Sequence, residues 1–584
     1  MESLRGIWLT GRRAGARRLL FRARRRAQLR LINPYLADSL YRVEANGRIP
    51  SSSETTPELQ EQLAWLAHLR QRSHLDAAWD VTAETIMLLN QAPVPLRPPV
   101  VWAAQPIADP LWSFQLHGWE WAWPKLIDPE AHTAVLNLWQ DWLAQVPFGQ
   151  TLAWEPYPTS RRLVVWAAAC HLLPVGKALV TAVARHAAYL THHLERDLDN
   201  NHLIANAKAL AWAGLLLPHL PQAAVWGEMG LAWLWRSLQA QVRSDGGHVE
   251  NSASYHLAVW LDGLETALLC QTIGVPVPPE ITNLLYRMGM YALALRRPDG
   301  RLPLLNDSIQ DEPLPLAAIL ELAARVLDKP EFSAPDTLVQ SQAFPDTGQV
   351  VFRLGQEETY LLFDAGDIGP DHCPGHGHAD TLGFELWYRG QPLIVDPGTY
   401  QYAAGEWRDY FRSTAVHSTA TVDGQNQTVF TGPFRVGDLA HGRLLSFDLA
   451  GEQPEAVGEH DGYGRLPDPV NHQRRIQSQS ATKLTITDTF EGQAVHQIAL
   501  HFHLASTQVE LLAEDKALIR YPGGTELKLR VASDAPSQLS LADAWISRDW
   551  YQKERSVILT FQVEVQLPVT LITTIEIMSF RSHQ

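Results

Sequence analysis

Between about residues 55 and 325, apolar side chains return every three or four positions. The pattern runs through Glu58–Arg70, Arg161–Leu173, Lys177–Leu194, Leu203–Leu217, Ala223–Val242, Ser254–Ile273 and Glu280–Leu295, and that period predicts amphipathic helices. Pro218, Pro221, Pro276, Pro278 and Pro279 stand where helices should stop or start. A long run of paired antiparallel helices predicts an (α/α) toroid or a solenoid, and no strict repeat forces the solenoid. Residues 328–348, DKPEFSAPDTLVQSQAFPDTG, are rich in Pro, Ser, Thr and Asp and read as a linker. Beyond them the pattern switches to alternation, as in Gln349–Leu354, Thr359–Asp364, Thr381–Tyr388, Lys483–Thr489, Gln497–Leu504, Thr507–Leu512, Glu526–Val531 and Val557–Gln566. Short alternating strands divided by Gly/Asp turns predict an antiparallel β-sandwich. The expected fold class is therefore multidomain α+β. It comprises a basic segment over 1–50, a helical toroid domain over 51–327, the linker, and a β-sandwich over 349–584, with a cleft for an extended ligand between helices and strands.

Composition changes this picture at three points. A length of 584 residues exceeds one core. The net charge of −15 argues against nucleic acid as a partner, although an acidic protein can bind an acidic polymer through a locally basic cleft. The 21 tryptophans exceed ordinary usage; packing between helices accounts for most, and an indole is also a flat platform for a sugar ring. Cys170, Cys270 and Cys373 are too few and too scattered for a disulfide framework or a cysteine metal site.

The first 30 residues hold ten arginines and no acid after Glu2, without the apolar core of a signal peptide. They read as a solvated arginine-rich helix or as a basic helix making peripheral contact with a membrane. No later apolar run is long enough to span a bilayer, Ala209 to Leu217 being closed by Pro218.

Candidate chemistry concentrates between Pro374 and His417, PGHGHADTLGFELWYRGQPLIVDPGTYQYAAGEWRDYFRSTAVH. Alternation in TLGFELWY sends Leu382, Phe384 and Leu386 to one face and Glu385 and Trp387 to the other, Arg389-Gly390 makes the turn, and PLIVD returns. His378 and Asp396 then meet at the open end of a hairpin, within reach of His417. Two imidazoles and a carboxylate suit Zn²⁺. His376 lies on the same side as His378 but about 6–7 Å along an extended chain, so it is positioned by that group rather than an easy co-ligand, and Gly375 and Gly377 permit close backbone approach. A fourth ligand or a turn residue is the plainer reading of His376. In the helical half, Asn200, Asn201 and His202 precede a helix, where one N-cap asparagine is ordinary and the rest are surplus. Tyr255 and His256 fall in the first turn of another helix, after Asp245-Gly246-Gly247. Packing is the plain role for such a tyrosine, and proton transfer into a cleft is the sharper one. Arg408 and Arg412 either bind an anionic group in forked fashion or make ion pairs with Glu406 or Asp409.

Five segments, NNHLIANAKAL, DGGHVENSASYH, PGHGHADTLGFEL, IVDPGTYQY and FRSTAVHST, in that order and on the expected halves, resemble the heparinase II/III family of polysaccharide lyases. PLWSFQLHGWEWAW is similar to the family's N-terminal part. The resemblance implies β-elimination on a uronate-containing acidic polysaccharide. It implies Asn201 as neutraliser of the sugar carboxylate, Tyr255 as base and/or acid, and His376 as partner base or neutraliser. It also implies His378, Asp396 and His417 as ligands of a mainly structural divalent metal. His202 is a second candidate for the carboxylate contact, less favoured because Ala205, one turn later, is apolar. The family's lyases imply export to the periplasm or medium, whereas the basic start fits work near a membrane inside the cell. Two other readings compete: a non-catalytic carbohydrate-binding or polysaccharide-assembly protein of the same fold, and a metal-dependent glycan hydrolase.

Overall fold

Side-chain caps set where the helices begin. Thr56 accepts from Leu59 N to start Pro57–Arg70, Asn200 starts Asn201–Leu216, and Ser252 starts Ala253–Thr272. The computed structural model describes residues 56–334, 340–356 and 358–579, together with 15, 16, 18–28, 31, 33 and 41. Helices Pro156–Leu172, Lys177–His192, Ala223–Gln241 and Pro279–Leu295 lie where the period placed them. Pro110–Gly118, His132–Gln145 and Leu316–Leu327 also belong to the helical half. Its centre is built from tryptophan: Trp119, Trp121, Trp139, Trp142, Trp154, Trp166, Trp212 and Trp260 are fully buried. Interhelix packing therefore claims these side chains, and the buried indoles are not available as sugar platforms.

The strand half has two large antiparallel sheets and a two-stranded ribbon, Phe430–Gly432 with Arg435–Val436. One runs in the order Ser537–Asp549, Gln552–Gln566, Val495–Leu504, Gln391–Ile394, Gly383–Tyr388, Thr359–Asp364, Gln349–Leu354 and Gln342–Phe344, with Ala420–Val422 also paired to Val495–Leu504. The other runs Gly442–Asp448, Glu455–His460, Asn471–Ser480, Lys483–Glu491, Val569–Ser579, Thr525–Ala532, Lys516–Arg520 and Val509–Ala513. Val350, Phe352, Leu361 and Phe363 of the first sheet share one buried cluster with Ile476, Ile486, Leu529 and Ile575 of the second. Their alternate neighbours Val351, Tyr360, Leu362 and Trp387 belong instead to the core of the helical half. Along Gln349–Leu354, Thr359–Asp364 and Gly383–Tyr388 the first sheet is thus covered on both faces, which explains why Thr359–Asp364 is buried at every position. Period 2 assigns the residues to faces, and both faces are dry.

One boundary differs from the sequence reading, and so do the surroundings of the helical basic start. Gln342–Phe344, inside the expected linker, pairs with Gln349–Leu354 as an edge strand, because residues 345–348 between Phe344 and Gln349 form a tight turn that lets the segment fold back. Within the basic start, residues 18–27 are helical. Arg18, Arg22 and Arg25 pair with Asp199, Asp197 and Glu195, so this part of the segment lies against the protein's own acidic loop. The remainder of the expected basic segment lies largely outside the described residues. Among the described residues no helix is long and apolar enough to cross a membrane.

Candidate active site

One short loop, residues 306–308, fastens the helical half to the strand half. On the helical side Ser252 Oγ accepts from Tyr255 N at 3.3 Å and donates to Asp307 O at 2.9 Å, while Ser308 Oγ accepts from Ala253 N at 2.9 Å. On the strand side Asn306 Oδ1 accepts from His378 N at 2.7 Å, and Asp307 N donates to His376 O at 3.0 Å. Gly377 is required between the two histidines, because a Cβ there would lie 2.4 Å from the Ile368 carbonyl oxygen.

The Asp307 carboxylate is the hub. Its Oδ2 accepts from His376 Nδ1 at 3.0 Å and Arg408 Nη2 at 2.8 Å. Its Oδ1 accepts from His378 Nε2 at 3.1 Å, Thr399 Oγ1 at 3.2 Å and Arg408 Nη1. Burial works against its charge, but Arg408 and the two histidines outweigh burial and hold the carboxyl well below the usual range. Facing a charged carboxylate, His376 presents Nδ1 to Asp307 as the donor, and Nε2 is the ring nitrogen left on the other side. That Nε2 lies 3.8 Å from Glu250 Oε2. Burial alone would raise Glu250, yet His376, His248 and the Asn201 donors keep it below its ordinary value.

The other predicted residues gather around this couple. The Tyr255 and His376 ring centroids are 4.1 Å apart, and the Tyr255 hydroxyl shares a 2.8 Å hydrogen bond with Tyr402. Burial, then the charge of Asp307, push the Tyr255 phenol well above its usual value, so it holds its proton at neutral pH. Asn200 takes the cap, accepting from His202 N at 3.1 Å. That releases Asn201, whose backbone N and Nδ2 donate to Glu250 Oε1 at 3.0 and 2.8 Å, leaving one Nδ2 proton for a ligand. His202 is turned aside: Nδ1 meets Glu195 Oε1 at 3.2 Å, and the ring stacks on Tyr157 at 4.3 Å.

Arg408 and Arg412 do not sit as substrate-binding arginines. Both are fully buried. Arg408 spends its fork on Asp307, and Arg412 donates to the carbonyls of Gly377 at 3.2 Å and Pro433 at 2.7 Å. Buried guanidinia require such partners, and the acid and carbonyls around 375–377 and 432–433 supply them.

Beneath the hub lies a second group. His378, Asp380 and His417 each offer one ligand atom, all within 4.8 Å of one another. His378 Nδ1, Asp380 Oδ2 and His417 Nε2 are buried without a hydrogen-bond partner. The remaining histidine nitrogens are engaged, His378 Nε2 by Asp307 and His417 Nδ1 by the Ser413 carbonyl at 2.8 Å. Burial drives His378 down to about 4 and His417 well below its usual value, so both imidazoles are neutral and ready to ligate. Burial and the neighbouring Asp364 raise Asp380 to about 8. Asp396, expected in the ligand set, lines the same cavity of about 10 Å³ with Asp364 and Asp380, and its Oδ2 lies 3.8 Å from His417 Nε2. Crowded acids, neutral imidazoles and orphaned atoms are a donor set that could hold a metal ion, with Asp380 in the tight group and Asp396 beside it.

Residues 97–328 match the family described as Heparinase II/III N-terminus, and residues 336–576 match Heparinase II/III-like, C-terminal. The chain belongs to the heparinase II/III family. It is 23% identical over 392 residues to a heparin-sulfate lyase of Bacteroides stercoris, a match covering 63% of this chain and 55% of that enzyme. It is also 23% identical over 476 residues to the heparin-sulfate lyase of Pedobacter heparinus, covering 74% and 68%. The chain thus spans little more than half the length of the first of these relatives. The crystal structure of heparinase III superposes with a TM-score of 0.73 at 19% identity, covering 93% of this chain and 90% of that one. Heparan sulfate lyase from Pedobacter heparinus superposes with 0.63 at 18%, covering 97% and 89%. At these identities the superpositions establish the family fold.

Four residues of the site escaped the sequence reading. Glu250, Asp380 and Tyr402 lie inside segments already singled out, DGGHVENSASYH, PGHGHADTLGFEL and IVDPGTYQY, and an acid or phenol beside a candidate base was the available signal. Asp307, in RLPLLNDSIQD, carried no such signal. Its role arises only because the 306–308 loop is clamped between the two halves.

Proposed function

We propose that this member of the heparinase II/III family is a polysaccharide lyase that cleaves uronate-containing polysaccharide by β-elimination. The observation that carries the reading is the His376–Asp307 couple, whose basic Nε2 stands beside Glu250 while the protonated Tyr255 lies against the same imidazole. Asn201 meets the sugar carboxylate with its remaining amide proton and eases the build-up of enolate charge. His376 Nε2 takes the C5 proton, the electron pair forms the C4–C5 double bond, and the C4–O4 bond breaks. The Tyr255 hydroxyl gives its proton to the departing O4. The imidazolium formed is stabilised by Asp307 and Glu250, and its proton returns to the tyrosinate to restore the starting state. The shared buried cluster of the two sheets supports reading the strand half as a β-sandwich, and the succession of paired helices supports an (α/α) toroid before it.

His378, Asp380 and His417, with Asp396 adjacent, would hold the divalent cation. When bound, it neutralises the crowded acids and pins the turn that carries His376. His378, Asp380 and His417 are 0%, 5% and 1% exposed, which walls the cation off from solvent. That favours scaffolding over the activated water a hydrolase needs. A chelator should therefore lower the melting temperature, with activity falling only as the fold is lost.

The reading is tested by incubating purified protein with a panel of uronate polymers, beginning with the heparan sulfate for which the relatives are named, and following the ultraviolet absorbance of unsaturated uronyl ends. Tyr255→Phe and His376→Ala should each lower kcat by about 10²–10⁴-fold with unchanged melting. Full activity in Tyr255→Phe would overturn the assignment, and saturated products would identify a hydrolase.

A further inference from the structure

We propose that Phe434 is a substrate-contact residue, on whose ring a pyranose of the bound polymer stacks so that its C5–H faces His376. The ligand class rests on the lyase reading. The sealed tryptophans of the helical core cannot serve a sugar, whereas Phe434 is 45% exposed and stands beside the proposed base. Its ring centroid lies 5.6 Å from that of His376 and 5.0 Å from that of Tyr402, both edge-to-face. Tyr402 in turn shares its hydroxyl hydrogen bond with Tyr255. One open aromatic ring thus borders the imidazole and the phenol that holds Tyr255.

Single exposed apolar side chains are ordinary on a protein surface. Phe434 differs in how firmly it is held. It sits at the tip of the ribbon, where Gly432 pairs with Arg435, and a tip of this kind is usually mobile. Here the Pro433 carbonyl accepts from Arg412 Nη1 at 2.7 Å, Arg408 Nη2 at 3.0 Å and Arg408 Nε at 3.1 Å. The Gly432 carbonyl accepts from Arg412 Nη1 at 3.2 Å. Both guanidinia are fully buried, and that of Arg412 also lies 3.8 Å from the Phe430 ring centroid. Arg408 bonds Asp307 at the same time, so one guanidinium fixes both the partner of His376 and the ribbon tip. Gly375 completes the seat. A Cβ there would lie 3.1 Å from the Phe434 carbonyl oxygen and 3.3 Å from the Phe434 Cβ, so only glycine lets the tip rest on the turn that leads to His376.

A fixed ring beside the base has a use in this chemistry. Proton removal needs C5 within hydrogen-bond reach of the imidazole, and an error of about 1 Å can cost on the order of 10²-fold in rate. Asn201 holds the sugar carboxylate at one point, which leaves the ring free to pivot about it. A pyranose presents a flat patch of C–H groups, and an aromatic face takes such a patch without charge and without demanding a hydrogen bond. Phe434 then sets the plane of the sugar ring, while Asn201 sets its position. A flat aromatic side chain is required for this, and an apolar one of similar bulk but branched shape does not suffice.

The test separates the contact from the lyase reading on which it rests. In a Tyr255→Phe background, binding of heparan sulfate hexasaccharide is measured by titration calorimetry, with and without Phe434→Ala, Phe434→Leu or Phe434→Trp. The alanine and leucine variants should each weaken binding by roughly tenfold, the scale of losing one anchoring aromatic contact, and the tryptophan variant should bind as the parent does. Melting temperature should hold in all three, since the clamp is made by the carbonyls of Gly432 and Pro433. The leucine and tryptophan variants both fill the site, so their comparison stands even if alanine loosens the tip. On the otherwise native chain, Phe434→Leu should lower kcat/KM at least as far, with the shape of its pH profile unchanged. Hexasaccharide binding in Phe434→Leu equal to that of the parent overturns the stacking contact, even if unsaturated ends are produced and the lyase reading stands. Weakened binding in Phe434→Leu, with no unsaturated product from the native chain, upholds the contact and overturns the lyase. Absence of binding to any uronate polymer overturns both.

Discussion

At the scale of single residues, Asp307 determines more than any residue named by motif. Its two oxygens serve His376, His378, Arg408 and Thr399 at once. They join the proposed base His376, the candidate metal group at His378 and a buried guanidinium through one carboxylate. Asp307→Asn keeps the shape and removes the charge, leaving Arg408 buried and uncompensated, a loss of about 3–5 kcal/mol when one partner of a buried pair goes. It also removes the acceptor that sets the His376 tautomer. Asp307→Asn should thus lose both melting temperature and turnover, whereas Tyr255→Phe loses turnover alone. The double variant Asp307→Asn/Arg408→Met should regain much of the melting temperature and none of the activity. Recovery of activity in it would show that Asp307 serves only to neutralise Arg408.

At the scale of elements, what the sequence made legible was periodicity and local chemistry. Gln349–Leu354 and Thr359–Asp364 match their predicted bounds, because alternation between two dry faces still obeys period 2. His376, Tyr255 and Asn201 stood out as candidates because surplus polar residues at helix starts and between glycines have no local structural duty, and the structure brings them together. What stayed hidden was tertiary. The burial of Arg408 and Arg412 depends on carbonyls at 375–377 and 432–433, and Asp307 on a clamp between two halves. The strand Val495–Leu504 shows the same limit. His496, unremarkable in sequence, is held by Asp423 through Nδ1 at 2.8 Å and Asp468 through Nε2 at 3.0 Å. Burial alone would lower His496, but the two carboxylates outweigh it and raise it above 6.5, while Asp468 is lowered below 3.8, chiefly by its bond to His496. A raised histidine stabilises fully below its unfolded pKa and loses that contribution as pH climbs through the folded value. A depressed aspartate contributes above its unfolded pKa and loses it as pH falls through the folded one. The latch is therefore strongest between these limits. His496→Gln should cost melting temperature at about pH 5.5 and little at about pH 9. An equal loss at both would make the contact packing rather than charge.

At the scale of the molecule, the first sheet has no solvent face along its central strands. Leu361 and Phe363 meet the second sheet, while Tyr360, Leu362 and Trp387 join the tryptophan-rich helical core. The two halves accordingly share a hydrophobic layer as well as the 306–308 clamp, and this layer fixes Tyr255 of one half against His376 of the other. If that layer is what positions the site, the halves should unfold together. Scanning calorimetry of the full chain is expected to show a single transition. Leu362→Ala, a fully buried truncation at the shared layer, should cost about 2–5 kcal/mol and move that one transition downward as a whole. Unsaturated-product formation should disappear in step with it on heating, since Tyr255 and His376 lose their relative position when either half melts. Two separable transitions, with Leu362→Ala shifting only one, would mean that the halves are independently stable. The site would then be held by the Asp307 clamp alone.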